Sequence, residues 1–199
     1  MIIGVINIKG GVGKTTSSLA IATAAQRSGL SVTVVDTAPQ GSATLWAQAA
    51  EDADDPLPFP VVSRNQAEIR RMRERRPDRD GELIVIDTPP NGAVVDEAIK
   101  TADFVVIPTL SSPIDLQQTM LTAAQCQDAG KDYAVLIVMA RKGTNALRAF
   151  RTAVEEYGAG IFDTEIPLRE DFKADFGHTF RSNLNGYEDV WNELRGELR

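Results

Sequence analysis

Met1-Ile2-Ile3-Gly4-Val5-Ile6-Asn7-Ile8-Lys9-Gly10-Gly11-Val12-Gly13-Lys14-Thr15-Thr16 passes from an apolar run straight into a glycine-rich loop, and Leu19, Ile21 and a series of alanines follow. The β-branched run predicts a buried strand over Ile2–Asn7, and the alanine-rich stretch predicts a helix over Lys14–Ser28. Glycines carry no Cβ, so the loop between them can curl until successive backbone N–H groups point at one anion, and the helix N-terminus adds its positive dipole. Gly10, Gly11, Val12 and Gly13 therefore read as a phosphate cradle. Lys14 is placed to reach β- and γ-phosphates, the Thr15 hydroxyl to coordinate Mg²⁺, and Thr16 to add a hydroxyl contact.

Working outward, short Val/Ile-rich runs alternate with helical patterns, as expected for βαβ units around a buried parallel sheet. Further strands are predicted at Val32–Asp36, Pro60–Ser63, Leu83–Asp87, Phe104–Pro108, Ala134–Ala140 and Ile161–Ile166. Further helices are predicted at Ser42–Ala50, Gln66–Arg76, Val94–Lys100, Ile114–Ala129, Asn145–Tyr157 and Gly186–Leu198. Gly29, Gly130 and Gly158 sit where helices should stop. The expected fold is α/β, a single doubly wound, mostly parallel sheet flanked by helices. With 199 residues, 43% of them apolar, the chain suits one domain over 1–199.

A net charge of −7 rules out a global positive field as the attraction to DNA or membrane, so any nucleic-acid contact needs a local basic patch. One cysteine, Cys126, excludes a disulfide framework or an all-cysteine metal site within the chain, and it reads as a packed helix residue. No apolar stretch approaches the roughly 20 residues that span a bilayer, and no basic leader precedes the first strand. A cytoplasmic protein is expected.

With Lys9 before the paired glycines and Ile8 where the general P-loop pattern has glycine, the loop resembles the deviant Walker A motif of ParA/MinD ATPases. In that family the first lysine reaches across a homodimer to the partner's nucleotide, which the resemblance implies for Lys9. Leu83 to Pro90 resembles the Walker B strand, four apolar residues delivering Asp87 as the second Mg²⁺-site residue opposite Thr15. Ser111 to Leu116 resembles the loop near the dimer interface, and Ser112 there can equally cap a helix starting near Pro113. Ile166-Pro167, with Phe172, Ala174 and Gly177 beyond, resembles the segment that cradles adenine, although Ile-Pro also ends strands for steric reasons.

One departure bears on mechanism. The family typically reads D-x-D-P-Q after the second strand, and here the residues are Asp36-Thr37-Ala38-Pro39-Gln40. The second aspartate orients the attacking water in relatives; Ala38 has no group to do so, whether it arose by divergence or was placed to capture the ATP state. Hydrolysis should be slow and the cradle intact, with Asp36 a supporting residue of the phosphate site.

Other features divide between binding and ordinary surface. The basic run Arg70–Arg76 has Glu68 just before it and Glu74 within it, placed for helical pairing, so it reads as a solvated helix face or a partner or DNA surface. Arg141, Lys142, Arg148 and Arg151, with Arg169, Lys173 and Arg181, form a candidate patch for nonspecific DNA, with solubilising charge as the alternative. His178 has no nucleophile or metal partner in the sequence pattern, and Trp46 and Trp191 read as packing residues. Tyr187, Val190, Trp191, Leu194 and Leu198 follow helical spacing. The acidic polar face of that helix favours packing on the domain over a MinD-like membrane helix.

The resemblance therefore implies a short ParA-type ATPase that binds ATP and Mg²⁺ and forms an ATP homodimer. It would be nucleoid-associated and position a plasmid or a protein body such as a carboxysome through an adaptor that stimulates hydrolysis. A P-loop metabolic ligase or kinase is the competing class, and Lys9 argues against it. Nitrogenase iron-protein relatives need cysteine cluster ligands that one cysteine supplies poorly.

Overall fold

Six of the apolar runs form strands, all of them parallel: β1 (Ile2–Val5), β2 (Ser31–Asp36), β3 (Val61–Ser63), β4 (Glu82–Asp87), β5 (Phe104–Thr109) and β6 (Asp132–Ile137), in the order β3-β2-β4-β1-β5-β6. The computed structural model describes residues 1–74, 81–169 and 175–197. The helices among them are α1 (Lys14–Arg27), α2 (Ser42–Asp52), α3 (Gln66–Glu74), α4 (Ala93–Thr101), α5 (Pro113–Asp128), α6 (Asn145–Glu156) and α7 (Tyr187–Glu197). Arg75, Arg76 and Leu198, expected at two helix ends, lie outside the described residues.

Strand alternation divides the core between the two faces of the sheet. Ile3 and Val5 of β1 join Val34, Val85 and Val106 in the cluster that packs against α1, α2 and α7, whereas Ile2 joins Val35, Ile86 and Val105 against α3, α4 and α5. A third cluster, built from Val135, Ile137, Leu147, Phe150 and Val154, seals α6 onto β6. Crossovers leading away from β1 and back toward it use opposite faces because each right-twisted βαβ unit closes with the same hand. β1 consequently lies between β4 and β5, and the loop after it opens at the carboxyl edge of the sheet.

The predicted seventh strand over Ile161–Ile166 does not form. That stretch meets β6 and its continuation through two isolated bridges, Val135 to Ile161 and Ala140 to Pro167, and one further bond from the Ile166 N–H to the Ile137 carbonyl at 2.9 Å. Its polar positions are used otherwise: Asp163 and Thr164 donate their N–H groups to the Glu193 carboxylate of α7 at 2.8 and 3.0 Å, in place of a ladder. The helix ends match expectation, with α1, α5 and α6 stopping just before Gly29, Gly130 and Gly158. Ser112 caps α5, accepting from the Asp115 N–H while Asp115 accepts from the Ser112 N–H, with Pro113 in the first turn.

The C-terminal helix packs on the domain. Tyr187, Val190, Trp191 and Leu194 are buried in the core beside α1, and Trp191 Nε1 donates to Ser28 Oγ at 3.0 Å. Burial of side chains this large stabilises by about 1.5–3 kcal/mol each, which explains why this apolar face is covered. Cys126 is buried on α5, and burial pushes its thiol up to about 12. Among the described residues no helix is long and apolar enough to cross a membrane.

Candidate functional site

Gly13 stands at the N-cap of α1 in the left-handed region, φ 74°, and Gly11 has φ 76°. A side chain at either position would strain that backbone, so the loop needs the glycines that the sequence supplies. No side chain caps α1, which leaves its first N–H groups directed at the loop. Val12 is fully buried and anchors the loop to the core.

Lys14, 7% exposed, donates from Nζ to the Lys9 carbonyl at 2.8 Å, folding its ammonium back along the loop. Burial holds that ammonium below its ordinary value, and the nearby Asp87 charge offsets part of the effect. Thr15 Oγ1 donates to Asp87 Oδ2 at 2.7 Å, and Ser18 Oγ, one turn further along α1, donates to Asp87 Oδ1 at 3.1 Å. Asp87 is pushed up to about 7, first by burial and then by the neighbouring Asp36 charge, against the opposing hydrogen bonds of Thr15 and Ser18. A buried carboxylate beside a second carboxylate and a threonine hydroxyl is a hard-oxygen donor set that a divalent cation would relieve. These residues fit Mg²⁺ held together with phosphate oxygens.

Asp36 is fully buried at the end of β2 and fixes the next turn. Its Oδ1 accepts the Ala38 N–H at 3.0 Å, and its Oδ2 accepts both the N–H and the hydroxyl of Thr44 at 2.9 Å. This carboxylate is thus committed to holding the Ala38 loop against α2. Ala38 itself lines the cavity with only a methyl group to present.

That cavity, about 440 Å³, is walled by the glycine loop, Lys14 to Thr16, Ala38, Thr88 and Pro90. Trp46, Met139 and Phe176 complete it and were not legible as site residues. Trp46 is buried as expected of a packing residue, and its position on the cavity depends on where α2 is set. A narrower apolar slot of about 130 Å³ adjoins it, formed by Gly13, Thr16, Met139, Ile166, Pro167 and Tyr187. Pro167 therefore stands beside the phosphate loop; Gly177 packs on Ala49 of α2, and Phe172 and Ala174 lie outside the described residues.

Lys9 does not point into open solvent. Its Nζ ion-pairs with Asp115 Oδ1 in the cap of α5, and the second oxygen of Asp115 accepts from Ser112 Oγ. Burial alone would raise the Asp115 carboxyl, but the hydrogen bonds from Lys9 and Ser112 outweigh it and hold it below its ordinary value.

The basic residues behave unequally. Arg141, Lys142 and Arg148 are exposed around the start of α6, and Arg148 bonds to Asn145 and to the Gly143 carbonyl. Arg151 is committed elsewhere: it donates to the Phe162 carbonyl at 2.8 Å and lies 3.5 Å from Glu165. On the other side of the molecule Arg70 and Arg73 pair with the buried Glu97 of α4, at 3.4 and 3.0 Å, whereas Glu68 pairs with Arg64 rather than within the run. Part of that basic run therefore fastens α3 to α4. His178 lies 3.5 Å from Asp55, and its carbonyl accepts Trp46 Nε1, a structural placement. Lys173 lies outside the described residues.

Two curated relatives are similar to this chain over most of their length. The maintenance of carboxysome distribution protein A of Gloeobacter kilaueensis is 34% identical over 170 residues, 83% of this chain and 76% of that one. Its counterpart in Halothiobacillus neapolitanus is 29% identical over 179 residues, 86% and 81% of the two chains. Among solved structures, an aspartate-to-alanine variant of Cyanothece McdA in complex with ATP superposes with a TM-score of 0.73 at 17% identity, covering 98% of this chain and 96% of that one. The model of the CobQ/CobB/MinD/ParA nucleotide-binding domain matches residues 3–179. That match takes in the glycine loop, Asp36, Asp87 and Pro167, and with the similarity to the carboxysome proteins it establishes that this chain belongs to the CobQ/CobB/MinD/ParA nucleotide-binding family.

Proposed function

We propose that the chain is a ParA-type positioning ATPase that binds ATP with Mg²⁺, pairs with a second copy around the nucleotide and carries a cargo such as a carboxysome or a plasmid. The observation that carries this reading is the double-lysine glycine loop set beside Thr15 and the buried Asp87 to which Thr15 donates. The names of the relatives support the class of cargo.

In this reading Gly10 to Gly13 and the first N–H groups of α1 bind the phosphates, Lys14 and Thr16 add side-chain contacts, and Thr15 with Asp87 holds Mg²⁺. When bound, that ion supplies positive charge to the β- and γ-oxygens. Pro167 and the slot around it take the base. Asp36 keeps the Ala38 loop in place. Lys9, held by Asp115 in the single chain, exchanges that ion pair for the partner's phosphate on dimerisation. Because Ala38 offers no carboxylate to orient water, the ATP state persists; the ATP complex solved for an aspartate-to-alanine McdA is in keeping with this.

Phosphate release measured beside sedimentation with ATP and with ADP tests the proposal. The parent chain should dimerise with ATP alone and turn over slowly. Ala38→Asp should raise turnover about a hundredfold and make the dimer transient, and Lys9→Ala should bind ATP yet remain monomeric. A parent chain that is monomeric with saturating ATP, or an Ala38→Asp variant no faster than it, would refute the respective part.

The dimer carries two copies of Arg141, Lys142 and Arg148, and nonspecific DNA on the nucleoid is the surface they fit, with an adaptor on the cargo stimulating release. Neutralising these three should weaken binding equally across unrelated sequences and flatten the salt dependence by roughly one unit per lost phosphate contact. Arg151→Ala, whose charge already answers Glu165, should leave that slope unchanged. An unaltered slope after the triple change would place DNA elsewhere.

A further inference from the structure

Ala38 presents only a methyl group to the cavity, so the polar side chains that remain on its wall decide what could still orient water there. Most of them are already committed. Lys14 Nζ donates to the Lys9 carbonyl at 2.8 Å, Thr15 Oγ1 to Asp87 at 2.7 Å, Thr88 Oγ1 to the Val5 carbonyl at 3.1 Å and Trp46 Nε1 to the His178 carbonyl at 3.0 Å. Thr16 also lines the Pro167 slot, a compartment that Ala38 does not reach. Among the described residues, Gln40 and Ser42 are the polar side chains confined to the Ala38 compartment that have no hydrogen-bond partner.

The backbone under Gln40 is fixed. Ala38 and Gln40 belong to one turn, closed by the Gly41 N–H on the Ala38 carbonyl at 2.9 Å, with Gly41 at φ 62°. Asp36 holds this turn from one side through the N–H groups of Ala38 and Thr44. From the other, Thr37 donates its N–H and its hydroxyl to the Asp87 carbonyl at 3.0 and 2.8 Å, which ties the turn to the strand end that carries the Asp87 carboxyl. The turn is thus set with respect to Asp87, while the Gln40 carboxamide stays exposed on the cavity wall. A carboxamide suits the task that Ala38 leaves open: its Oε1 can accept an O–H of water while its Nε2 donates to a γ-phosphate oxygen. Ser42 has a single hydroxyl on a shorter arm at the start of α2.

We propose that Gln40 positions the attacking water for the slow hydrolysis that this chain retains. This rests on the ATPase reading above. The water oxygen bonds to the γ-phosphorus as the bond from that phosphorus to the β,γ-bridging oxygen breaks, and ADP leaves with the electron pair. One proton of the water stays on the new phosphate hydroxyl and the other passes to a phosphate oxygen. Gln40 fixes the approach of the water and acts on this step, leaving nucleotide binding to the glycine loop.

The experiment is single-turnover phosphate release with Mg²⁺, beside calorimetric titration of AMPPNP and of ADP with aluminium fluoride, on the parent chain, Gln40→Ala, Gln40→Glu and Ser42→Ala. Gln40→Ala should release phosphate about tenfold more slowly. It should also bind ADP with aluminium fluoride, a mimic of the phosphoryl group in transfer, about tenfold more weakly, with AMPPNP affinity unchanged. Gln40→Glu keeps the acceptor oxygen and should recover most of the parent's rate. Phosphate release unchanged in Gln40→Ala, a Gln40→Glu chain no faster than Gln40→Ala, or a loss confined to Ser42→Ala overturns the assignment and leaves the ATPase reading standing. Equal weakening of AMPPNP and of the mimic also overturns it and assigns Gln40 to holding the site together. A parent chain that binds AMPPNP but neither turns over nor binds the mimic overturns it as well, and one that binds neither ligand refutes the nucleotide role itself.

Discussion

The two walls of the nucleotide cavity are built differently. Residues 9–16 form one wall from consecutive backbone, backed by Asp36 and Asp87 at the ends of neighbouring strands β2 and β4, whose register pairs them directly. The other wall collects Met139, Pro167, Phe176 and Tyr187 from four separate places, and contacts at a distance hold it: Tyr187 OH to Ser17 Oγ at 2.8 Å, and Arg27 to the carbonyls of Phe180 to Ser182. The first wall is polar and buries the Asp87 carboxyl beside that of Asp36; the second is largely apolar, with Tyr187 buried and Met139 and Phe176 open to the cavity. Removing a group from the first should therefore alter binding and pH response. On the second it should alter chiefly stability or the fit of the base.

Lys14→Ala is the largest expected effect. Removing a buried ammonium aimed along the phosphate loop should weaken ATP by roughly a hundredfold or more, measured by calorimetry, while the unliganded chain stays folded. Nucleotide affinity within a few-fold of the parent would show that backbone amides alone suffice.

The Asp87 carboxyl carries the pH response. It titrates near 7 in the folded chain and at an ordinary 3.8 when unfolded. Between these values the folded chain retains a proton that the unfolded chain has lost, so stability without metal is greatest below the lower value. It falls as pH rises toward 7 and then levels, by about 4 kcal/mol for a shift of this size. Urea titrations in chelator-treated buffer from pH 4 to 8 should show this slope in the parent and its loss in Asp87→Asn. The two proteins sharing one slope would remove Asp87 as its source. Mg²⁺ with ATP should flatten the parent's curve, because the cation favours the ionised form.

Tyr187→Phe is the small effect that sharpens the contrast. It deletes one buried hydrogen bond to Ser17 and keeps the ring, so about 1 kcal/mol of stability should be lost, a fall in Tm of roughly 2–4 °C. ATP affinity should stay within about twofold. Loss of ATP binding with little change in Tm would mean that the second wall acts on the nucleotide through α1 and not only by packing.

Legibility followed the same division. Strand, glycines, lysine and threonine occur in one run, and Asp87 ends an apolar strand, so both could be placed from local pattern and the geometry of phosphate binding. Ser18 was within reach too, since it lies three residues after Thr15 on one helix face. Ile161–Ile166 misled because its apolar residues suit a strand, while Asp163 and Thr164 found a better hydrogen-bond partner in Glu193, thirty residues away. Lys9 and Arg151 gave the same kind of lesson: the sequence assigns one to a partner's nucleotide and the other to a DNA patch, and each is held here by a carboxylate that no short-range pattern could have paired with it.

What the sequence by itself determined is the alternation of strand and helix, the phosphate loop and the missing carboxylate at position 38, because these depend on backbone geometry and on residue types within one turn or one strand. Only the tertiary structure decided that Trp46 and Phe176 share the cavity with that loop, that α7 closes on α1, and which cations remain free. Those outcomes depend on how separate elements pack around one sheet, where steric fit and the nearest opposite charge select among many possible partners.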